Sequence, residues 1–270
     1  MNRHSLTRSY AAGRFGALLT VCLFLPSLLL AQPADRVLSP LSITVDAPRP
    51  LAALADELEK RYQIVVTYED GAWAAGADVE DVTRDIIESN GPGKAAPAVP
   101  VIFPRKAAVS FEYALDPAKG RPTDYADLLS ALLLQYEKAG APGKFRFEGS
   151  NGLYHLIPAR LKDAKGRWTD ASPVLSTPVR LADQERTVDE TLDEIVAQLN
   201  ESSPVKVDWG LVPLNLFVQT RIRLAADGVP AREVMRQILE LLPRRATWHL
   251  NYDPTNKRYY LNFWLLPGGR

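Results

Sequence analysis

Two stretches of this chain carry one pattern, and that pattern limits the fold more than any other feature. "RPTDYADLLSALLLQY" (Arg121 to Tyr136) and "GVPAREVMRQILELL" (Gly228 to Leu242) each set a proline near a helix start. Each continues with apolar residues at three- and four-residue steps and leads into an aromatic-rich strand. The flanks repeat too. In the first half, Ile43 and Val45 alternate as a strand. Pro50 then opens a helix with its stripe on Leu51, Leu54, Ala55, Leu58 and Tyr62, and Ile64, Val66 and Tyr68 alternate again. In the second half, Val179 and Leu181 precede a helix striped by Val188, Leu192, Ile195 and Leu199. Thr187 and Glu190 have capping-box spacing at its start, and Val205, Val207 and Trp209 form the next strand.

The later elements also correspond. Val109, Phe111 and Tyr113 precede the helix of Leu128, Leu129, Leu132, Leu133 and Tyr136. Leu216, Val218, Thr220, Ile222 and Leu224 read as one long alternating strand before the helix of Val234, Met235, Ile238, Leu239 and Leu242. Each half closes with a hairpin, turning at Ser150-Asn151-Gly152 and at Asp253 to Asn256. The expected fold class is therefore α+β: two tandem strand-helix-strand-strand-helix-strand-strand modules, with helices packed on small mixed sheets. The first domain runs over 32–158, with an inserted loop at about 71–105 that ends in "GPGKAAPAVPVIFP". Inside it, Val79, Val82 and Ile86 have the spacing of one short helix. The polar run 159–173 reads as a linker and 174–270 as the second domain.

Residues 1–31 read as a signal peptide. Arg3, Arg8 and Arg14 make a basic start, an apolar run extends from Phe15 to Ala31, and Pro26 interrupts it. A membrane span needs ~20 apolar residues, so cleavage after Ala31 is expected, with no stable membrane insertion afterwards. The only cysteine, Cys22, lies inside this run. "LTVC" resembles a lipoprotein box, but Val21 is bulky where a small residue is needed. The chain beyond the signal then has no thiol for a disulfide or a cysteine-based zinc site. The formal net charge of the whole chain is zero, and loss of the signal arginines leaves a slight acidic excess, which argues against nucleic acid as a partner. A periplasmic or secreted location follows.

The stretch "PLAALADELEKRYQIVVTYE", the leucine-rich helix Leu128 to Leu134 and the hairpin exit Ile157-Pro158 resemble the short N-terminal domain of secretins and TonB-dependent receptors. Pro50-Leu51 stands where that family opens its first helix. The second copy departs, with Thr187-Val188 in that place. The resemblance implies two helices held between small sheets, and a periplasmic module that contacts another envelope protein.

No catalytic constellation is visible, and no enzyme, cofactor or metal is expected. His155 and His249 have no second ligand at zinc spacing. The pair Glu69-Asp70 is a candidate for acid–base work only if both acids reach one cleft; Asp78, Glu80, Asp81 and Asp85 have the chemistry to bind a cation, but a solvated helix face with acids near its start explains them more simply. In "RYYLNFWLL", Tyr259, Leu261, Phe263 and Leu265 point to the core, which leaves Tyr260, Asn262 and Trp264 on the other side. Phe217, Arg221, Arg223 and His249 also fall off the core phase of their segments. Aromatics with arginine make a candidate partner surface; the same face would also suit packing on the other half, or a register slip. The function expected is a non-catalytic protein–protein interaction module of the cell envelope. The alternative is a small-ligand or cell-wall-glycan binder using the aromatic face.

Overall fold

The apolar stripes read above become the buried faces of helices in the computed structural model, which describes residues 40–91 and 95–267. The signal-peptide reading falls on residues outside that range. The first half contains β1 (Leu41–Ala47), α1 (Pro50–Tyr62), β2 (Val65–Glu69), β3 (Val79–Asp81), α2 (Thr83–Asn90), β4 (Ile102–Pro104), β5 (Ala107–Tyr113), α3 (Tyr125–Lys138), β6 (Lys144–Ser150) and β7 (Leu153–Lys162). After β8 (Trp168–Asp170), the second half contains β9 (Pro178–Thr187), α4 (Val188–Ser202), β10 (Val207–Trp209), α5 (Leu214–Gln219), β11 (Arg221–Pro230), α6 (Ala231–Leu241), β12 (Ala246–Asp253) and β13 (Arg258–Leu265). The protein is thus α+β.

Local chemistry sets several boundaries. The Thr187 hydroxyl accepts from the Glu190 amide while the Glu190 carboxylate accepts from the Thr187 amide, so two free amides of α4 are satisfied at once. Asn151 and Gly152 both have positive φ, as a tight two-residue turn between β6 and β7 demands. Asp253 accepts from the amides of Thr255 and Asn256 and fixes the β12–β13 turn. One expectation is corrected. Leu216 to Leu224 is not a continuous strand: Leu214–Gln219 is helical, starting directly after Pro213, and β11 begins at Arg221. Leu214, Phe217 and Val218 also satisfy helical spacing, so a short apolar run of this kind fits both periods.

Strand pairing follows one scheme in both halves. β1 pairs with β5 antiparallel, and β9 with β11 antiparallel. β2 pairs with β7 in parallel and β6 joins β7; β10 pairs with β13 in parallel and β12 joins β13. The two three-stranded units do not stand apart. β12 pairs with β2 in parallel, which joins them into one sheet of order β10-β13-β12-β2-β7-β6. A single cluster of buried apolar side chains runs through both halves, from Leu41 to Leu266. The expected linker 159–173 is also corrected. β7 continues to Lys162, β8 pairs back onto it, and Val174 and Leu175 are buried.

Helices cover this sheet from opposite sides. Successive strand residues face opposite ways, so neighbours on β2 report on different helices. Tyr68 stacks with Phe145, which meets Tyr136 of α3, and Tyr68 also meets His249, whose ring faces Asp56 of α1. Glu69 points the other way, to Arg232 of α6, and Phe263 on that same face packs against Phe217 of α5. α1 and α3 therefore lie on one face, and α5 and α6 on the other. β2, at the centre, is buried on both sides along its whole length.

The insertion is more structured than a loop. β3 pairs with β4, α2 lies between them, and Trp73 and Ala75 are buried at its start. Thr255 of the β12–β13 turn accepts from the Ile102 amide at 2.7 Å and donates to its carbonyl at 3.2 Å, so the insertion is fastened to the second half. The described residues between Gly91 and Pro100 are, by contrast, almost all exposed. Deleting 91–100 with a short bridge is expected to leave stability within about 1 kcal/mol, since each doubling of loop length changes closure by only ~0.6 kcal/mol. Urea unfolding checks this, and a larger loss would make the segment part of the fold.

Candidate functional site

With α1 and α3 over the first half of one sheet face, the same face of β13 is left partly open. Tyr260, Asn262 and Trp264 are half-buried there, while Tyr259, Leu261 and Phe263 on the reverse are buried. A cleft of about 470 Å³ lies over Tyr260 and Asn262, walled by β4 of the insertion and by the chain leaving β10. Asn262 builds one wall. Its Oδ1 accepts from the Leu211 amide at 2.9 Å and its Nδ2 donates to the Tyr260 carbonyl at 3.0 Å. A side chain at Gly210 would collide with this amide, so glycine is required for the close approach. The Gly210 amide and Leu211 carbonyl continue the pairing with β13, at 2.9 Å and 2.7 Å. That leaves the Leu211 side chain 77% exposed at the rim. Phe103 is exposed on the β4 wall, and the buried Asn251 Oδ1 has no hydrogen-bond partner among the described residues.

The seven residues expected to form a partner surface do not stay together. Tyr260 and Asn262 line the cleft. Trp264 lies further along the same face, over Asp56 and Glu59 of α1. His249 is buried under α1, edge-on to Trp264 at 4.3 Å and 3.7 Å from the Asp56 carboxylate. This part of the aromatic face therefore packs on the other half, one of the readings the sequence left open. Phe217 is fully buried against Phe263, because the helical turn at α5 points it inward. Arg221 and Arg223 are on the separate β9–β11 ribbon, paired with Glu185 at 2.7 Å and Asp183 at 2.8 Å. Leu211 and Phe103 were missed. Single exposed apolar residues carry no periodic signal, and only the loop geometry sets them on one rim.

The other candidates resolve as structural groups. Glu69 and Asp70 face opposite sides of β2 and share no cleft. Asp70 accepts from Arg49 Nε at 2.7 Å, from the Tyr68 hydroxyl at 2.8 Å, and from the amides of Gly71 and Tyr252. Glu69 accepts from Arg232 and from the Leu175 amide, while burial holds its carboxyl above the usual range. The solvated acidic face is corrected at Asp78, which the turn before β3 buries with Lys162 Nζ 3.3 Å away, while Asp81 accepts from the Thr83 amide at the surface. Among the described residues no group of three or more His, Cys, Asp or Glu is placed to hold a metal ion.

Titratable groups gather where the two halves meet. Burial drives His249 down to about 3 and His155 to about 4, in each case helped by a nearby arginine. Burial also raises Asp56 to about 6 and Glu59 to about 8, the latter despite the Val66 amide that its carboxylate accepts. The signs oppose. A histidine with a lowered folded pKa contributes stability that is lost as pH falls below its ordinary value. A carboxyl with a raised folded pKa contributes stability that is lost as pH rises through the folded value. Glu59→Gln is therefore expected to flatten the decline in stability between about pH 4.5 and 8, because glutamine needs no proton to stay neutral. Urea midpoints measured across that window check it; an unchanged slope would show that Glu59 ionises freely in the folded protein.

Among the described residues no helix is long and apolar enough to cross a membrane. Compared with family models, with curated proteins and with solved structures, the chain matches none.

Proposed function

We propose that this is an exported, non-catalytic interaction protein of the cell envelope that seats an extended apolar segment of a partner protein in the cleft over Tyr260 and Asn262. The rim carries the reading: Leu211 and Phe103 are exposed apolar side chains on either side of a concavity floored by an aromatic ring and side-chain amides. Such a concentration of apolar surface around a few polar groups is what an interface centre needs. The free Asn251 Oδ1 suits a main-chain amide of the bound segment. Charge contributes little, since Arg49 at the cleft edge is bonded to Asp70 and to the Tyr252 carbonyl. The matched order and pairing of elements in the two halves supports two modules like the short N-terminal domains of secretins and TonB-dependent receptors. The basic start and short apolar run of residues 1–31 support export.

A photo-crosslinking residue at position 211, in the chain expressed in its own cell envelope, tests the proposal. The expected result is one protein adduct that disappears when Phe103→Asp is added with the circular dichroism spectrum unchanged. Adducts insensitive to Phe103→Asp would remove the cleft from the interaction. Retention on a cell-wall glycan column, lost in Tyr260→Ala, would favour the glycan-binding alternative instead.

A further inference from the structure

A second concavity, of about 390 Å³, lies on the opposite face of the sheet and has a different character. It is bounded by the β6–β7 turn, with Glu148, Ser150 and Asn151, and by the first turns of α6, with Arg232, Glu233 and Arg236. His155 of β7 also lines it, and both His155 and Arg232 are more than nine-tenths buried. The hydroxyl of Thr67 lies 2.6 Å from His155 Nδ1 and, among the described residues, has no other acceptor. It therefore donates to Nδ1, which puts the imidazole proton on Nε2. That Nε2–H is buried without a partner, and so is the Nε–H of Arg232. Two buried donors with no acceptor are costly unless something accepts from them. In the first turn of α6 the Ala231 amide already donates to the Thr177 carbonyl at 2.9 Å, while the amides that follow have no acceptor within the helix and Pro230 supplies no side-chain cap.

We infer that this pocket binds a small zwitterion, such as a free α-amino acid, with its carboxylate toward His155 and Arg232 and its ammonium toward Glu148. The donors call for an oxygen acceptor. The charge balance of the walls selects which kind. With the ion-pair partners of the lining residues included, Arg146, Arg232 and Arg236 are opposed by Glu69, Glu148, Glu233 and Glu240, so acid exceeds base by one with His155 neutral. A phosphate or other compact anion meets that excess unfavourably, whereas an ammonium at the other end of the ligand meets it favourably. Arg236 is already bonded to Glu233 and Glu240, while the half-exposed Glu148 carboxylate is paired through Oε1 with Arg146 at 2.7 Å and keeps Oε2, 4.0 Å from Arg232 Nη1, for the ligand's ammonium. Volume agrees, since a free amino acid fits with room for water. The site is on the opposite sheet face from the cleft proposed for a partner and stands independently of it.

Titration of the purified chain with L-alanine, L-lysine, propionate and inorganic phosphate, followed by calorimetry and by NMR of the imidazole nitrogens, tests this. Expected are saturable binding of the amino acids, a shift of the His155 Nε2 signal, and propionate and phosphate at least about tenfold weaker. Arg232 also holds Glu69, so its removal tests folding as well as binding. Glu148→Gln is the cleaner variant, being half exposed, and is expected to weaken L-alanine about tenfold with the thermal midpoint unchanged. Absence of saturable amino-acid binding, phosphate or propionate binding as tightly as L-alanine, or an unmoved Nε2 signal on binding would each overturn the assignment.

Discussion

Replacing Arg232 with methionine is expected to destabilise the protein by ~3–5 kcal/mol, because it leaves the Glu69 carboxylate buried without its counter-charge. Both side chains are almost wholly buried, Glu69 completely so. The remaining partners of Glu69 include the Leu175 amide, which cannot neutralise it. The loss should be smaller in acid, where Glu69 is protonated, and should grow as pH rises. Adding Glu69→Gln to Arg232→Met should restore much of the stability, since an amide in that position needs no counter-ion. Urea unfolding of the two variants at acidic and neutral pH measures this. Equal losses for the single and double variants would show that packing around Arg232, rather than the charge of Glu69, sets the cost.

Trp248→Ala is expected to cost a similar ~3–5 kcal/mol, the usual penalty for emptying a large aromatic site in a core. Its location decides where that loss is felt. Trp248 is fully buried on β12, the strand that joins the halves, and it stacks on His155 of β7 at 5.9 Å. Hydrogen exchange should therefore accelerate together in β7 and in β13, with a single unfolding transition. If β7 kept its protection while β13 lost it, the halves would be unfolding as separate units, and the β2–β12 junction would contribute little. The comparison is informative because Leu133 of α3 and Leu239 of α6, at matching places in the element order, are both buried and both belong to the same continuous core.

Much of the local structure was legible in the chain. The 3.6-residue stripes of α1, α3, α4 and α6, the alternation in β5 and β13, and the turn residues at Asn151-Gly152 and Asp253 depend on neighbours a few positions away. So does the capping box of Thr187 and Glu190. The pattern failed where a run was too short to have one period, as in Leu214–Gln219, where helical Phe217 turns inward. It failed again in 159–173, where a polar composition concealed the pairing of β7 with β8.

Of the candidate site, Tyr260 and Asn262 were legible as residues off the core face, because alternation alone separates them from Tyr259 and Leu261. Leu211, Phe103 and the joining of the halves were not. The Tyr252 amide meets Asp70 across 182 positions of sequence, and no local period encodes which strand edge finds which. Tertiary structure alone decided that β12 pairs with β2 and that the two sets of helices lie on opposite faces. From that arrangement follow the burial of Glu69, Asp70 and His249 and the two concavities left open beside them. For the longer elements, such as α1, α3, α4, α6 and β13, the sequence by itself determined the type of element and which side of it is apolar, because those are properties of spacing. Which apolar sides meet depends on strand edges and helix faces brought together from distant parts of the chain, and only the assembled fold supplies it.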